Sequence, residues 1–125
     1  MTENELAKIV VDCCYKIHTK LGPGMLESVY EEILCFELEK RRLKVERQKG
    51  IPVLYENLKM DLGFRADIIV ENKVILELKS VEVLAPAHSK QLLTYLKVTG
   101  LKLGLLINFG DALIKNGIHR IVNKL

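Results

Sequence analysis

Asp67, Glu77 and Lys79 sit in ADIIVENKVILELKS, residues 66–80, where two apolar runs rich in β-branched residues flank the polar turn Glu71-Asn72-Lys73. Side chains alternate between the two faces of a strand, so the pairing register of such a hairpin can be tested from sequence. Folding about Asn72 sets Ala66 against Leu78, Ile68 against Leu76 and Val70 against Val74, which makes one face wholly apolar. On the other face Ile69 meets Ile75, Asp67 meets Glu77 and Arg65 meets Lys79. A slip of one residue sets Ile68 against Glu77 and mixes the faces, so the first register is predicted.

Directly opposed residues have Cβ atoms roughly 4.5–5.5 Å apart, and two ionised carboxylates at that separation repel. One reading leaves this face in water, with Lys79 and Arg65 neutralising the acids. The other starts from VILEL, whose nearly continuous apolar character predicts a central strand covered on both sides. Burying an unpaired ion costs several kcal/mol, so charges held there are expected to form a site. A divalent cation resolves the repulsion. Two carboxylates suit Mg²⁺, which keeps several waters and takes one or two protein oxygens; Mn²⁺ is an alternative. With a lysine on the same face, the set meets the needs of metal-assisted attack on a phosphodiester: a polarised phosphoryl oxygen, an acidified water and an ammonium group to orient that water or balance developing charge.

The elements that must position these groups follow from periodicity. Thr2 with Glu5 matches a capping box, and Leu6, Ile9, Val10, Cys13 and Ile17 recur at helical spacing, predicting a helix over residues 3–20 that Gly22-Pro23-Gly24 ends. A second helix is expected from about Met25 to Arg42, with Met25, Val29, Ile33 and Phe36 on its apolar stripe. The period then changes to that of strands: VERQKGIPVLYE, LKMDLGFRADIIVE and KVILELKSVEVL, separated by Glu56-Asn57 and Glu71-Asn72-Lys73, predict an antiparallel meander. Pro86 opens a third helix, Ala87 to about Thr99, and Gly100 ends it. LGLLINF reads as a buried strand, and Asn116-Gly117 turns into a last strand, IHRIV. The order α, α, β, β, β, α, β, β describes a single α/β (α+β) domain with helices flanking a central mixed sheet.

Asp67, then nine residues, then Glu77-Leu78-Lys79 is a D-x(n)-(D/E)-x-K pattern, and the sequence resembles the PD-(D/E)XK phosphodiesterase superfamily, whose restriction-endonuclease-like core is αβββαβ. GMLESVY, residues 24–30, matches the G-x-x-E-x-x-Y motif of a small family within it. GFRADIIVENKVILELKSVEVL and HSKQLLTYLKVTGLKLGLLINFG match that family too, so the likeness spans about residues 5–122. It implies that Asp67 and Glu77 ligate metal, that Leu78 adds a backbone carbonyl and that Lys79 is the catalytic lysine. Ala66 stands where the superfamily motif has Pro, which leaves the ligands intact. Glu27 corresponds to a helical glutamate that binds metal directly or through water; a first-turn Glu also favours the helix dipole without any such role. Tyr30, one turn on, either reaches the site or packs in the core. Gln91 and Tyr95, four apart on one helix face, resemble the Q-x-x-x-Y element of the RecB-like branch, which holds the lysine or the phosphate. His88 extends that face, and Arg65 either binds phosphate or pairs with an acid.

With 125 residues, 49% of them hydrophobic, the chain can build one core. No apolar run reaches the ~20 residues of a membrane span, and MTENELAK lacks signal-peptide order, so a cytoplasmic protein is expected. Cys13, Cys14 and Cys35 show no C-x-x-C spacing and read as buried small hydrophobes. A net charge of +3 does not by itself announce a nucleic-acid binder. KRRLKVERQK, residues 40–49, is interspersed with acid and reads as solvated surface before it reads as a backbone track. The expected function is a Mg²⁺-dependent nuclease acting on DNA or RNA, with a homodimer or a partner protein supplying specificity. The competing readings are a silent nucleic-acid-binding or interaction module that keeps the old site, and a hydrolase of small phosphate compounds.

Overall fold

The computed structural model describes residues 1–61 and 63–125. Helix α1 (Glu3–Leu21) begins with the predicted capping box: the Thr2 hydroxyl accepts from the Glu5 N–H at 3.1 Å, and the Glu5 carboxylate accepts from the Thr2 N–H at 3.0 Å. Leu6, Val10, Cys13, Cys14 and Ile17 are buried on one stripe. Gly22 then takes φ 66°, ψ −171°, a conformation effectively restricted to glycine, and turns the chain into helix α2 (Glu27–Lys40).

The expected apolar face of α2 is corrected. Met25 and Phe36 are exposed, and the helix instead buries Tyr30, Leu34 and Leu38, with Glu31 and Glu37 beside them. Both stripes are present at helical spacing, and tertiary packing selected the one whose acids find partners: Glu37 meets Lys16 at 2.9 Å and Glu31 meets Arg47 at 3.0 Å.

The strands are β1 (Val45–Gly50), β2 (Val53–Tyr55), β3 (Leu58–Met60), β4 (Arg65–Val70), β5 (Val74–Lys79), β6 (Leu103–Asn108) and β7 (Ile118–Val122). A five-stranded mixed sheet runs in the order β1-β4-β5-β6-β7. The predicted meander is corrected: β1 pairs directly with β4, while β2 and β3 form a separate two-stranded hairpin about Glu56-Asn57. Pro52, which has no N–H for a ladder, follows β1 and diverts the chain from the sheet. Leu62, inside the second predicted strand run, lies outside the described residues.

Hairpin β4–β5 has the predicted register, with Ile68 opposite Leu76, Ile69 opposite Ile75 and Val70 opposite Val74, about a turn in which Glu71 and Asn72 take φ of 52° and 53°. Helix α3 (Pro86–Thr99) carries the crossover to β6, which pairs parallel with β5, so β5 is central and buried from Val74 to Leu78. β5 ends at Lys79, short of the predicted Leu84, because the Asn108 amide claims both backbone groups of Val81 at 3.0 and 2.9 Å. Asn116 and Gly117 belong to a short helix α4 (Ile114–Gly117) that leads into β7.

Two cores result. α1 and α2 pack on one face of the sheet over Ile68, Val70, Leu76 and Leu78, and α3 packs on the other over Ile69, Ile75 and Leu106. Gly104 is required where α3 crosses β6, since a Cβ there would meet the Leu92 side chain at 2.8 Å. The three cysteines are free and buried, and burial pushes the Cys35 thiol up to about 12. No helix among the described residues is long and apolar enough to cross a membrane.

Candidate functional site

The β4–β5 ladder stops at Ile68–Leu76, and beyond it each acid takes the other strand's backbone as its partner. The Asp67 N–H donates to Glu77 Oε1 at 3.2 Å, and the Leu78 N–H donates to Asp67 Oδ2 at 2.8 Å. These side-chain bonds replace ladder bonds, open the strands, and bring the two carboxyl groups to one place. Strand parity puts Asp67 on the α3 side, yet in the splayed region it also lines a cleft toward α2 of about 240 Å³ with Glu27, Ser28, Glu31, Gln48 and Leu78.

Glu77 is 5% exposed, on the face it shares with Ile75 and with its β6 neighbour Leu106. Burial, and next the neighbouring charge of Asp67, raise its carboxyl to about 8; the Asp67 N–H and the Lys79 charge pull the other way. Lys79 is half-buried two residues along the same strand face and has no ion-pair partner among the described residues.

Glu27 opens α2 and is exposed to the same cleft as Asp67 and Leu78. Tyr30 packs in the core, its ring stacked on Phe109 at 4.3 Å. Its hydroxyl donates to the Gly22 carbonyl at 2.6 Å and accepts from the Met25 N–H at 3.2 Å, so Tyr30 fixes the loop that delivers Glu27. The Ser80 hydroxyl donates to the Met25 carbonyl at 2.6 Å and ties that loop to the end of β5.

Gln91 and Tyr95 do not line this cleft. They border a separate, apolar cavity of about 140 Å³ with Ile51, Val53, Phe64, Thr94 and Val98. Tyr95 is nonetheless within electrostatic reach: burial, then the charges of Glu77 and Asp67, hold its hydroxyl above the usual phenol range. His88 is taken up locally, its Nδ1 accepting from the Ala85 N–H at 3.3 Å at the start of α3. Among the described residues Arg65 neither faces Lys79 in the ladder nor pairs with an acid, and it donates to the Gln48 carbonyl at 3.3 Å.

Gln48 and Glu31 are the residues that the sequence did not single out. Gln48 lies opposite Asp67 but takes φ 48°, outside strand geometry, and its amide donates to Glu31 at 2.7 Å and to Asp67 Oδ1 at 3.3 Å. Arg47 closes this network by donating to Glu31 at 3.0 Å and to Glu32 at 2.9 Å. Glu31 was legible as the residue four past Glu27 on one helix face. Nothing local marks Gln48, whose left-handed backbone interrupts β1 between the paired residues Arg47 and Lys49. Within residues 40–49, Lys40 pairs with Glu37, Arg47 with Glu31 and Glu32, and Lys44 and Lys49 with Glu46, as a solvated surface does.

No group of three or more His, Cys, Asp or Glu residues poised to hold a metal occurs among the described residues. The donors that converge are two carboxylates, with Glu27 and Leu78 on the adjoining cleft. Oxygen donors alone, one of them buried against a like charge, fit a hard cation that keeps part of its water shell.

A mixed sheet flanked by helices, whose central antiparallel pair splays at an acid pair followed by a lysine, defines a restriction-endonuclease-like fold. A family model described as the PD-(D/E)XK nuclease superfamily matches residues 4–121, and the chain belongs to that superfamily. Comparison with curated proteins and with solved structures gave no match.

Proposed function

We propose that this protein is a Mg²⁺-dependent phosphodiesterase that hydrolyses DNA or RNA in the cytoplasm, as a member of the GxxExxY group in the RecB-like branch of its superfamily. The reading rests on one observation: Asp67 and Glu77 each hold the backbone of the other's strand, so two carboxyl groups stay together where repulsion and burial oppose it.

Asp67 and Glu77 would hold Mg²⁺ or Mn²⁺, joined by the Leu78 carbonyl and by Glu27 directly or through water. The bound cation supplies a polarised phosphoryl oxygen and an acidified water. Lys79, which has no ion-pair partner among the described residues, orients the attacking water or balances charge on the phosphate. Tyr95, and Gln91 one turn before it, would reach Lys79 or the phosphate from the α3 side of the sheet; the Glu77 and Asp67 charges acting on Tyr95 support this for Tyr95. A second copy or a partner protein supplies substrate specificity.

Purified protein incubated with labelled single- and double-stranded DNA and RNA, with Mg²⁺ or Mn²⁺, tests this directly. Cleavage that falls at least ~100-fold in Glu77→Ala and in Lys79→Ala, yet is unchanged in Lys8→Ala, supports the reading. Binding without cleavage favours the second reading, a silent module that keeps the fold; Gln91 and Tyr95 lying outside the acid cleft is the observation on its side.

A further inference from the structure

Charge is distributed unevenly along this chain. From Val83 to Leu125 there are six lysines and arginines against one acid, Asp111, whereas acids outnumber bases over residues 1–82. Asp111 is occupied internally, its carboxylate accepting from the Asn108 amide at 3.1 Å.

The basic groups gather along α3. Lys90, Thr94 and Lys97 are all exposed at positions i, i+4 and i+7, on one outer face, and α3 contains no acid. Beyond its end, Lys97, Lys102 and Lys124 surround an open concavity of about 450 Å³ completed by Gly100 and Asn123. None of these lysines has an ion-pair partner among the described residues.

Helix capping does not account for them. The Leu96 carbonyl already accepts from the Gly100 N–H at 2.9 Å and from the Asn123 amide at 3.3 Å, and the same amide reaches the Leu101 carbonyl at 3.1 Å. Asn123 also donates its N–H to the Lys102 carbonyl at 2.9 Å, so the backbone carrying Lys102 and Lys124 is fixed. The helix dipole favours a cation at this end only weakly, which does not explain three gathered without an ion-pair partner among the described residues.

As the crossover between parallel strands, α3 starts beside the Glu77-Leu78-Lys79 end of β5 and finishes at the start of β6. Its 14 residues span ~21 Å, enough for several successive phosphates of an extended strand. We infer that the outer face of α3, continued by Lys102 and Lys124, binds the phosphate backbone of a nucleic acid outside the acid cleft. This inference rests on the nuclease reading for its choice of polyanion, but it concerns binding and stands or falls apart from catalysis.

The test uses the full chain in EDTA, with fluorescein-labelled 30-nucleotide single strands and duplexes titrated at several salt concentrations. The variant Lys97→Glu/Lys102→Glu/Lys124→Glu is compared with Lys8→Glu/Lys20→Glu/Lys59→Glu, which makes the same change in net charge on other exposed surfaces. Thermal unfolding checks that both variants fold. The α3-face variant is expected to bind at least ~10-fold more weakly and to lose ~2–3 from the slope of log affinity against log salt, with the control close to wild type. Equal effects in both variants, no effect in either, or a wild type that binds phosphatidylserine vesicles but no nucleic acid overturns the inference. Wild-type cleavage in Mg²⁺ is scored separately: a protein that binds through α3 and cuts nothing loses the nuclease reading alone, and one that cuts with its α3-face variant binding as wild type loses this inference alone.

Discussion

A buried carboxyl facing a second carboxylate keeps its proton to high pH, and Glu77 does so for both reasons, titrating near 8 in place of the ordinary 4.5. The folded protein therefore binds more protons than the unfolded chain between about pH 4.5 and 8, and the contribution of Glu77 to stability falls as pH rises through that window. In EDTA, thermal unfolding should show a loss of a few kcal/mol across it, and Glu77→Gln, which cannot ionise, should remove most of that slope. Under the proposed function Mg²⁺ would need the pair ionised, so its stabilising effect on Tm should grow over the same interval. A flat apo profile would show that neither burial nor Asp67 raises the Glu77 carboxyl. Gln48 acts on the other acid. Its amide links Asp67 to Glu31, so Gln48→Ala should weaken Mg²⁺ binding by ~10–100-fold, measured by calorimetry, while lowering Tm by only a few degrees. Equal Mg²⁺ affinity in the variant would reduce Gln48 to a surface residue with an unusual backbone.

At the scale of elements, α2 shows how a helix is aimed by something outside its own pattern. The Tyr30 ring lies stacked on Phe109 while its hydroxyl holds both Gly22 and Met25, so one residue serves the core and the approach of Glu27 to the cleft. Tyr30→Phe keeps the stack and leaves two backbone groups without their partner, which predicts a loss of ~1–3 kcal/mol in denaturant unfolding. If the loop matters to the site, metal affinity falls as well; stability lost with metal affinity intact would confine Tyr30 to packing. In β5, the run VILEL was legible because a strand covered on both faces needs apolar residues at every position, which makes Glu77 the exception. The hairpin β2–β3 was not legible as a departure from the sheet. Its residues alternate like those of any strand, and whether β1 continues into β2 or pairs with β4 is decided by which partner is at hand, with Pro52 as the one local hint.

Across the whole molecule, the sequence by itself determined where the three long helices lie, the register of the β4–β5 hairpin, and the proximity of Asp67 to Glu77, because side-chain period and turn chemistry act over a few residues. It determined the superfamily too, through residues spread over nearly the full chain. Tertiary structure alone decided which stripe of α2 is buried, that Gln48 lies on the acid cleft, and that Gln91 and Tyr95 border a different cavity. It also brought Lys97, Lys102 and Lys124 together from α3 and the chain ends of two strands. The physical reason is range. A strand's period or a capping box is fixed by neighbours in the chain, whereas the partner of a charged or apolar face is fixed by what the completed sheet leaves beside it, and that depends on contacts between residues far apart in sequence.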